Sequence, residues 1–411
     1  MGAAGGRLRA AFPFLALLVL LVASTALRVA LIGARGHGGD LIVDTRWAES
    51  LARSGPWGFY EIDRSVYPAL LYVFWPIGLL FDGDALNWVV KGLSIPFDLG
   101  VAILLAWGLR ATLGTWRSVA AAGLYLFNPG VLVGGPMWGQ VDAAGTLPFV
   151  AALLLLARRR FGWAGAMAAL ALLVKPQFGL VGLPVLVLAT RQLMIARDWR
   201  PLARAGGGAL AAYLLVTLPL RLDPLLYYDL ISGAATRQPM TSLFAPNPWG
   251  LFTGYQQPDQ GLVYVGSTLL LLGLLLSQLP LLRRRGTLTL LAVGLQVVFA
   301  FYFLPTRVHE RYLFPAMALA APAAALDLAA LGAYLLLGSA FALSLIQALL
   351  QETLWRLGEP LQSILLGPPL TWAAGLVMLG AALVLIIRAA AAQAGAAAER
   401  PRLTSEAGAG P

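Results

Sequence analysis

The chain has 411 residues, 59% of them hydrophobic and only 12% charged, against about 25% charged in soluble domains, which excludes a water-soluble globular protein. Its net charge of +10 fits basic residues collected in cytoplasmic loops of a membrane protein, and no nucleic-acid partner is expected. The absence of cysteine removes disulfides, zinc–thiolate and iron–sulfur sites, and a cysteine nucleophile.

Arg7 and Arg9 precede an apolar run over 10–33, read as an uncleaved first span with the N-terminus inside. Further apolar runs follow at 88–109, 118–135, 141–157, 161–174, 178–195, 203–220, 262–282, 287–304, 312–326, 328–350 and 370–387, about twelve spans with the first. The expected fold is an all-α polytopic membrane protein, with residues 1–388 forming one integral membrane domain. Residues 389–411 are expected to be a disordered cytoplasmic tail.

In this frame the inner segments hold 17 of the 29 Lys and Arg residues but only four of the 19 acids. The positive-inside rule therefore places both termini in the cytoplasm. It also demotes 68–81, apolar enough to span, to a helix at the outer interface, because counting it would put Arg158 to Arg160 outside. Two long outer loops result, 34–87 and 221–261. Both are rich in Trp, Tyr, Pro and Gly, which favours order and function.

The first loop carries Gly38-Gly39-Asp40 and then Val43, Trp47 and Leu51 at helical spacing, so an amphipathic interfacial helix is expected from Ile42. Asp40 is either a cap of this helix or a general base at the membrane edge, and Asp44, one turn on, can share either role. His37 reads as a solvated loop residue, and Asp98, inside a span, as a structural polar contact.

Asn128-Pro129 and Gly134 to Pro136 break a span, and Trp138, Gln140 and Asp142 emerge after it, as an interface turn or as part of a site. Lys175-Pro176-Gln177 sits at the outer end of another span, where the lysine either reaches lipid phosphate or binds an anion. In the second loop Asn247, Trp249 and Tyr255 combine amides and aromatic faces, a composition shared by sugar sites and interfacial belts. Last comes Arg307-Val308-His309-Glu310-Arg311-Tyr312 between two apolar runs, a costly cluster unless it binds something charged. No GxxxxGK[ST], HExxH or GxSxG motif occurs.

Taken together, Asp40, the Trp47-Ala48 helix, Tyr67-Pro68, Asn128-Pro129, Gly139-Gln140-Val141-Asp142, Lys175-Pro176-Gln177 and Arg307–Tyr312 resemble the GT-C superfamily of membrane glycosyltransferases, in particular bacterial mannosyltransferase-type members. The resemblance spans most of the chain. It implies a polyprenyl-phosphate-linked sugar as donor, a lipid or glycan acceptor, membrane lipids as surroundings, and a site facing outward from a bacterial plasma membrane. It further implies that Asp40 is the base, with Asp44 the fallback. His309, Arg311, Arg307 and Lys175 would hold the donor phosphate. Gln140, Asp142, Trp138, Gln177, Glu310, Asn247, Trp249 and Tyr255 would contact substrate. The paired D-x-E of oligosaccharyltransferases is missing at Gly139 to Asp142, so no cofactor is required, and a divalent metal is possible but has no support in the sequence. A lipid or sugar transporter using the same basic cluster is the alternative; it should show internal repeats, and none is evident.

Overall fold

A computed structural model describes residues 3–236, 238–354, 364 and 367–406, and the fold is helical almost throughout. The first helix, α1 (Ala3–Ile32), is apolar over Phe12–Ile32 and leads into the first loop. That loop is built from α2 (Gly38–Ser54), the short α3 (Phe59–Ile62) and α4 (Pro68–Leu80). Among the described residues six helical stretches have the length and hydropathy of a membrane span: Phe12–Ile32, Gly83–Gly108, Pro176–Ala196, Leu262–Arg283, Leu328–Gln351 and Pro368–Ala392. A seventh is broken, Thr115–Leu126 meeting Pro129–Met137 at 49°. The chain is thus an integral membrane protein, but helix length does not establish the twelve spans expected.

The shortfall has a physical cause. Asp142–Ala157, Phe161–Val174 and Thr287–Phe303 are apolar but have 16, 14 and 17 residues. At 1.5 Å per residue, helices of that length cover less than the roughly 30 Å hydrocarbon core when alone. Phe314–Ala324, with 11 residues, is shorter still and follows irregular backbone and the 3-10 turn Glu310–Leu313. Such backbone is tolerated at depth where protein or a cavity surrounds it. Large apolar side chains that are exposed, such as Leu215, Leu276 and Trp163, lie on the helices where lipid would cover them.

Two buried apolar clusters organise the molecule. The larger fills the helix bundle around Tyr302, Phe314 and Phe341. The smaller packs the first loop onto the bundle, with Leu51, Phe59, Leu70 and Phe74 meeting Leu173 and Val174. The loop is therefore a packed layer that includes α4, whose Tyr72 hydroxyl donates to the Val216 carbonyl at 2.9 Å. The tightest approach in this layer is Gly78 of α4 on Ala48 of α2, where a Cβ on Gly78 would stand 2.0 Å from the Ala48 carbonyl oxygen. Gly78→Ala is expected to push α2 away and to lower stability by about 1–3 kcal/mol. Thermal unfolding in detergent measures it.

Inside the bundle Arg28 and Asp98 are fully buried and paired, Nε to Oδ2 at 3.4 Å, and Tyr125 donates to Asp98 Oδ1 at 2.6 Å. Arg28 also donates to Ser24 and to the Leu126 carbonyl. The expected structural role of Asp98 is thus accounted for, with Arg28 as its partner. The second loop is not wholly irregular: it holds a helix over Pro224–Thr236. Its later part is pinned by a two-residue parallel pairing of β1 (Ser242–Leu243) with β2 (Val308–His309). At the C-terminus the helix Pro368–Glu406 continues past 388 through most of the segment expected to be disordered.

Candidate active site

Four backbone irregularities bring the polar residues together at one end of the bundle. The first is the start of α2. His37, not Asp40, caps this helix: its Nδ1 accepts from the Asp40 backbone N–H at 3.1 Å. The helix begins at Gly38 rather than at Ile42, so Asp40 lies in its first turn, where the partial positive charge of the helix end favours a carboxylate. The His37 ring also stacks on Trp138 with centroids 4.9 Å apart, which corrects its reading as a solvated loop residue.

The second irregularity is a π-turn over Val133–Met137, stretched by Gly134, Gly135 and Pro136. It ends at Gly139, whose φ of 99° suits glycine, and an added Cβ there would stand 2.9 Å from the Leu41 side chain. The turn presents Trp138 and Gln140 to Asp40. Trp138 Nε1 donates to Asp40 Oδ2 at 2.8 Å, and Gln140 Nε2 donates to the same oxygen at 2.5 Å.

Third, the helix Phe161–Val174 stops at Lys175, which is extended, before the 3-10 turn Pro176–Val181. Lys175 Nζ donates to Asp142 Oδ1 at 2.6 Å and to Gln140 Oε1 at 3.2 Å. Gln140 therefore joins the Asp40 carboxylate to the Lys175 ammonium. Asp142 is buried behind them as the partner of Lys175; its other oxygen, Oδ2, has no hydrogen-bond partner among the described residues.

The fourth is the 306–313 segment. Arg307 adopts a φ of 64°, and β2 then leads into the 3-10 turn Glu310–Leu313. Arg311 Nη1 donates to Glu310 Oε1 at 3.0 Å and to His309 Nδ1 at 3.3 Å, and its guanidinium lies 5.9 Å from the Trp138 ring centroid. A guanidinium can only donate, so His309 Nδ1 accepts and the ring proton resides on Nε2.

His37, Asp40, Trp138, Gln140, Lys175, His309, Glu310 and Arg311 line a cavity of about 830 Å³, together with Asp44, Trp47, Tyr67, Gln177, Gln238, Phe244 and Gln256; Asp142 lies behind it. Its electrostatics are uneven. Burial alone would raise the Asp40 carboxyl, but Arg311, His37, the Trp138 N–H and Lys175 outweigh it and hold the group down to about 2. Asp44 goes the other way: burial and the Asp40 charge push it up to about 8, so it is protonated at neutral pH. Burial and the neighbouring Arg311 push the His309 imidazole well below its ordinary range, making it a neutral N–H donor rather than a cation. Burial opposes charge on Arg311 as well, yet Asp40 and Glu310 keep it firmly protonated.

Of the residues expected at the site, Asp40, Asp44, Trp138, Gln140, Lys175, Gln177, His309, Glu310 and Arg311 line this cavity. Arg307 does not: its Nε is bound to Asp259 Oδ2 at 2.6 Å, so it fastens the second loop. Asn247 caps the helix Pro248–Thr253 and donates to the Tyr302 carbonyl, and Trp249 donates to the Leu304 carbonyl. Tyr255 packs on Phe244, with ring centroids 5.5 Å apart. These three shape the second loop without lining the cavity; its lining residues are Gln238, Leu243, Phe244 and Gln256. The positive φ of Phe244 (63°) and Gln256 (54°), unusual away from glycine, is a feature composition does not show. Among the described residues no three His, Asp or Glu side chains are grouped to hold a metal ion.

Neither a protein-family model nor a curated protein sequence matches the chain. Solved structures do. ArnT from Cupriavidus metallidurans in the apo state superposes with a TM-score of 0.50 at 17% identity, over 90% of this chain and 77% of that one. The same protein bound to undecaprenyl phosphate gives 0.51 at 17% identity, over 91% and 77%. A weaker likeness, TM-score 0.42 at 13% identity over 92% and 56%, is to the oligosaccharyltransferase AglB from Archaeoglobus fulgidus in complex with an inhibitory peptide and a dolichol-phosphate. The chain therefore shares the fold of ArnT.

Proposed function

We propose that this protein is an inverting glycosyltransferase that moves a sugar, mannose in our reading, from a polyprenyl-phosphate donor to a hydroxyl of a lipid or glycan acceptor. The observation that carries this reading is the cavity itself: a carboxylate held ionised at Asp40 faces a wall of cations and N–H donors made by Lys175, Arg311 and His309. The fold it shares with a protein crystallised with undecaprenyl phosphate supports the donor class.

In the proposed step Asp40 takes the proton of the acceptor hydroxyl as its oxygen attacks the anomeric carbon. The bond from that carbon to the phosphate oxygen breaks, and polyprenyl phosphate departs with the electron pair. Lys175 and Arg311 offset the charge that develops on it, and His309 Nε2 donates a hydrogen bond. Such preorganised electrostatics is commonly the largest catalytic contribution. Phosphate is a competent leaving group, so no strong acid is required. The distribution of Lys and Arg along the sequence supports cytoplasmic termini and an outward-facing site, and a bacterial plasma membrane is what the resemblance implies.

Purified protein in nanodiscs, given radiolabelled polyprenyl-phosphomannose and a lipid or glycan acceptor pool, is expected to transfer label. A transporter would instead move the donor across the bilayer without consuming it. The pH profile follows from the site. With Asp40 held at about 2, its base form is complete throughout the range from about pH 5 to 7, and kcat/KM is expected to be flat there. Above about 8 Asp44 loses its proton and adds a second negative charge one turn from Asp40, so kcat/KM should fall. Asp44→Asn should remove that alkaline limb.

A further inference from the structure

Asp44 is the anomaly of the cavity. It is 8% exposed and lines the space, yet its side chain makes no hydrogen bond and no ion pair among the described residues. The other charged groups on the lining have partners: Asp40 with Trp138 and Gln140, Lys175 with Asp142, Glu310 with Arg311. Its carboxyl opens onto the cavity and is left to bond whatever occupies that space.

Its neighbours narrow the ligand. Asp44 follows Asp40 by four residues on α2, so the two share one helix face, their Cβ atoms about 5–6 Å apart. Trp47, three residues further, also lines the cavity. The indole N–H of Trp47 is already committed to Asp63 Oδ2 and Ser65 Oγ, both at 3.1 Å, which fixes the ring and leaves its face as the contact surface. A carboxyl beside an immobilised aromatic face is complementary to a sugar, whose hydroxyls hydrogen-bond while its C–H groups pack on the ring.

We propose that Asp44 is the specificity-determining residue for the acceptor, its carboxyl hydrogen-bonding an acceptor-sugar hydroxyl while Trp47 packs against the ring. The acceptor rather than the donor sugar is assigned because both residues belong to the first-loop wall, whereas the phosphate-binding groups come from Lys175 and the 309–311 segment. Burial keeps Asp44 in its neutral form at pH 7, with one O–H donor and one carbonyl acceptor to offer a hydroxyl.

This inference rests on the transferase reading, and the test separates the two. In nanodiscs with polyprenyl-phosphomannose as donor and octyl α-mannoside as acceptor, Asp44→Ala is expected to raise the acceptor KM at least tenfold and leave the donor KM within about twofold. Asp44→Asn, which keeps a donor and an acceptor atom, should restore most of the lost acceptor affinity. A rise in the donor KM instead, or loss of kcat in Asp44→Asn as for a base, overturns the proposal. A second readout needs no turnover: the infrared band of a protonated carboxyl at pH 7, absent in Asp44→Asn, should shift on addition of octyl α-mannoside and not of undecaprenyl phosphate. No shift with the glycoside also overturns it. A wild-type protein that shows this shift but transfers no label refutes the transferase reading and leaves the glycoside subsite standing.

Discussion

Asp40→Asn is expected to abolish transfer, with turnover falling by about 10³-fold or more, while the donor lipid still binds. The amide is the same size as the carboxylate, and its oxygen can still accept from Trp138 Nε1 and Gln140 Nε2. The first turn of α2 and its His37 cap are untouched. What disappears is the ability to take a proton and the negative charge that faces Arg311. A folding defect would lower thermal stability and donor binding together, so both are measured beside turnover. Full turnover by Asp40→Asn would show that the base is another group.

Arg311→Ala is expected to cost kcat/KM by a factor of 10² to 10³, on the order of 3–4 kcal/mol of barrier. Arg311 is the cation closest in character to a phosphate fork, partly buried and held charged by Asp40 and Glu310. Removing it also strands Glu310, which is 2% exposed, so the double variant Arg311→Ala with Glu310→Gln is the fairer comparison. Arg311→Lys keeps the charge and loses the planar fork, and should recover only part of the activity. Binding of radiolabelled undecaprenyl phosphate to the double variant supplies the decisive reading. Affinity equal to that of the unaltered protein would remove Arg311 from the phosphate site.

The broad architecture was legible because membrane physics leaves few options: apolar runs and a one-sided distribution of Lys and Arg point to a polytopic helical protein. The three strongest site segments were legible for the same reason, since Gln140, Lys175 and Arg311 are polar interruptions that an apolar setting does not tolerate idly. Partners were harder. Arg28 lies within the first apolar run and Asp98 in a later one, and only packing shows that each neutralises the other. Asn247 and Trp249 have the composition of a sugar site, but their polar atoms are used by backbone carbonyls. His37 looked like an ordinary loop residue because its cap depends on where α2 begins and its stacking partner Trp138 arrives from far along the chain. Helix count suffered from breaks at Asn128-Pro129 and from crossings shared between short helices and irregular turns.

The π-turn before Trp138, the extended Lys175 and the left-handed Arg307 share a further property. Each delivers its side chains from a place where a helix has just ended, not from a helix face. The length of these connectors is therefore a stricter requirement than the identity of most residues in the bundle. Apolar residues on the lipid side can drift freely among Leu, Ile, Val and Phe. Inserting or deleting a single residue between 133 and 142, or between 305 and 311, would move every polar group beyond it out of register with Asp40. Geometry fixes the sequence length in these stretches, and elsewhere it asks only for hydropathy.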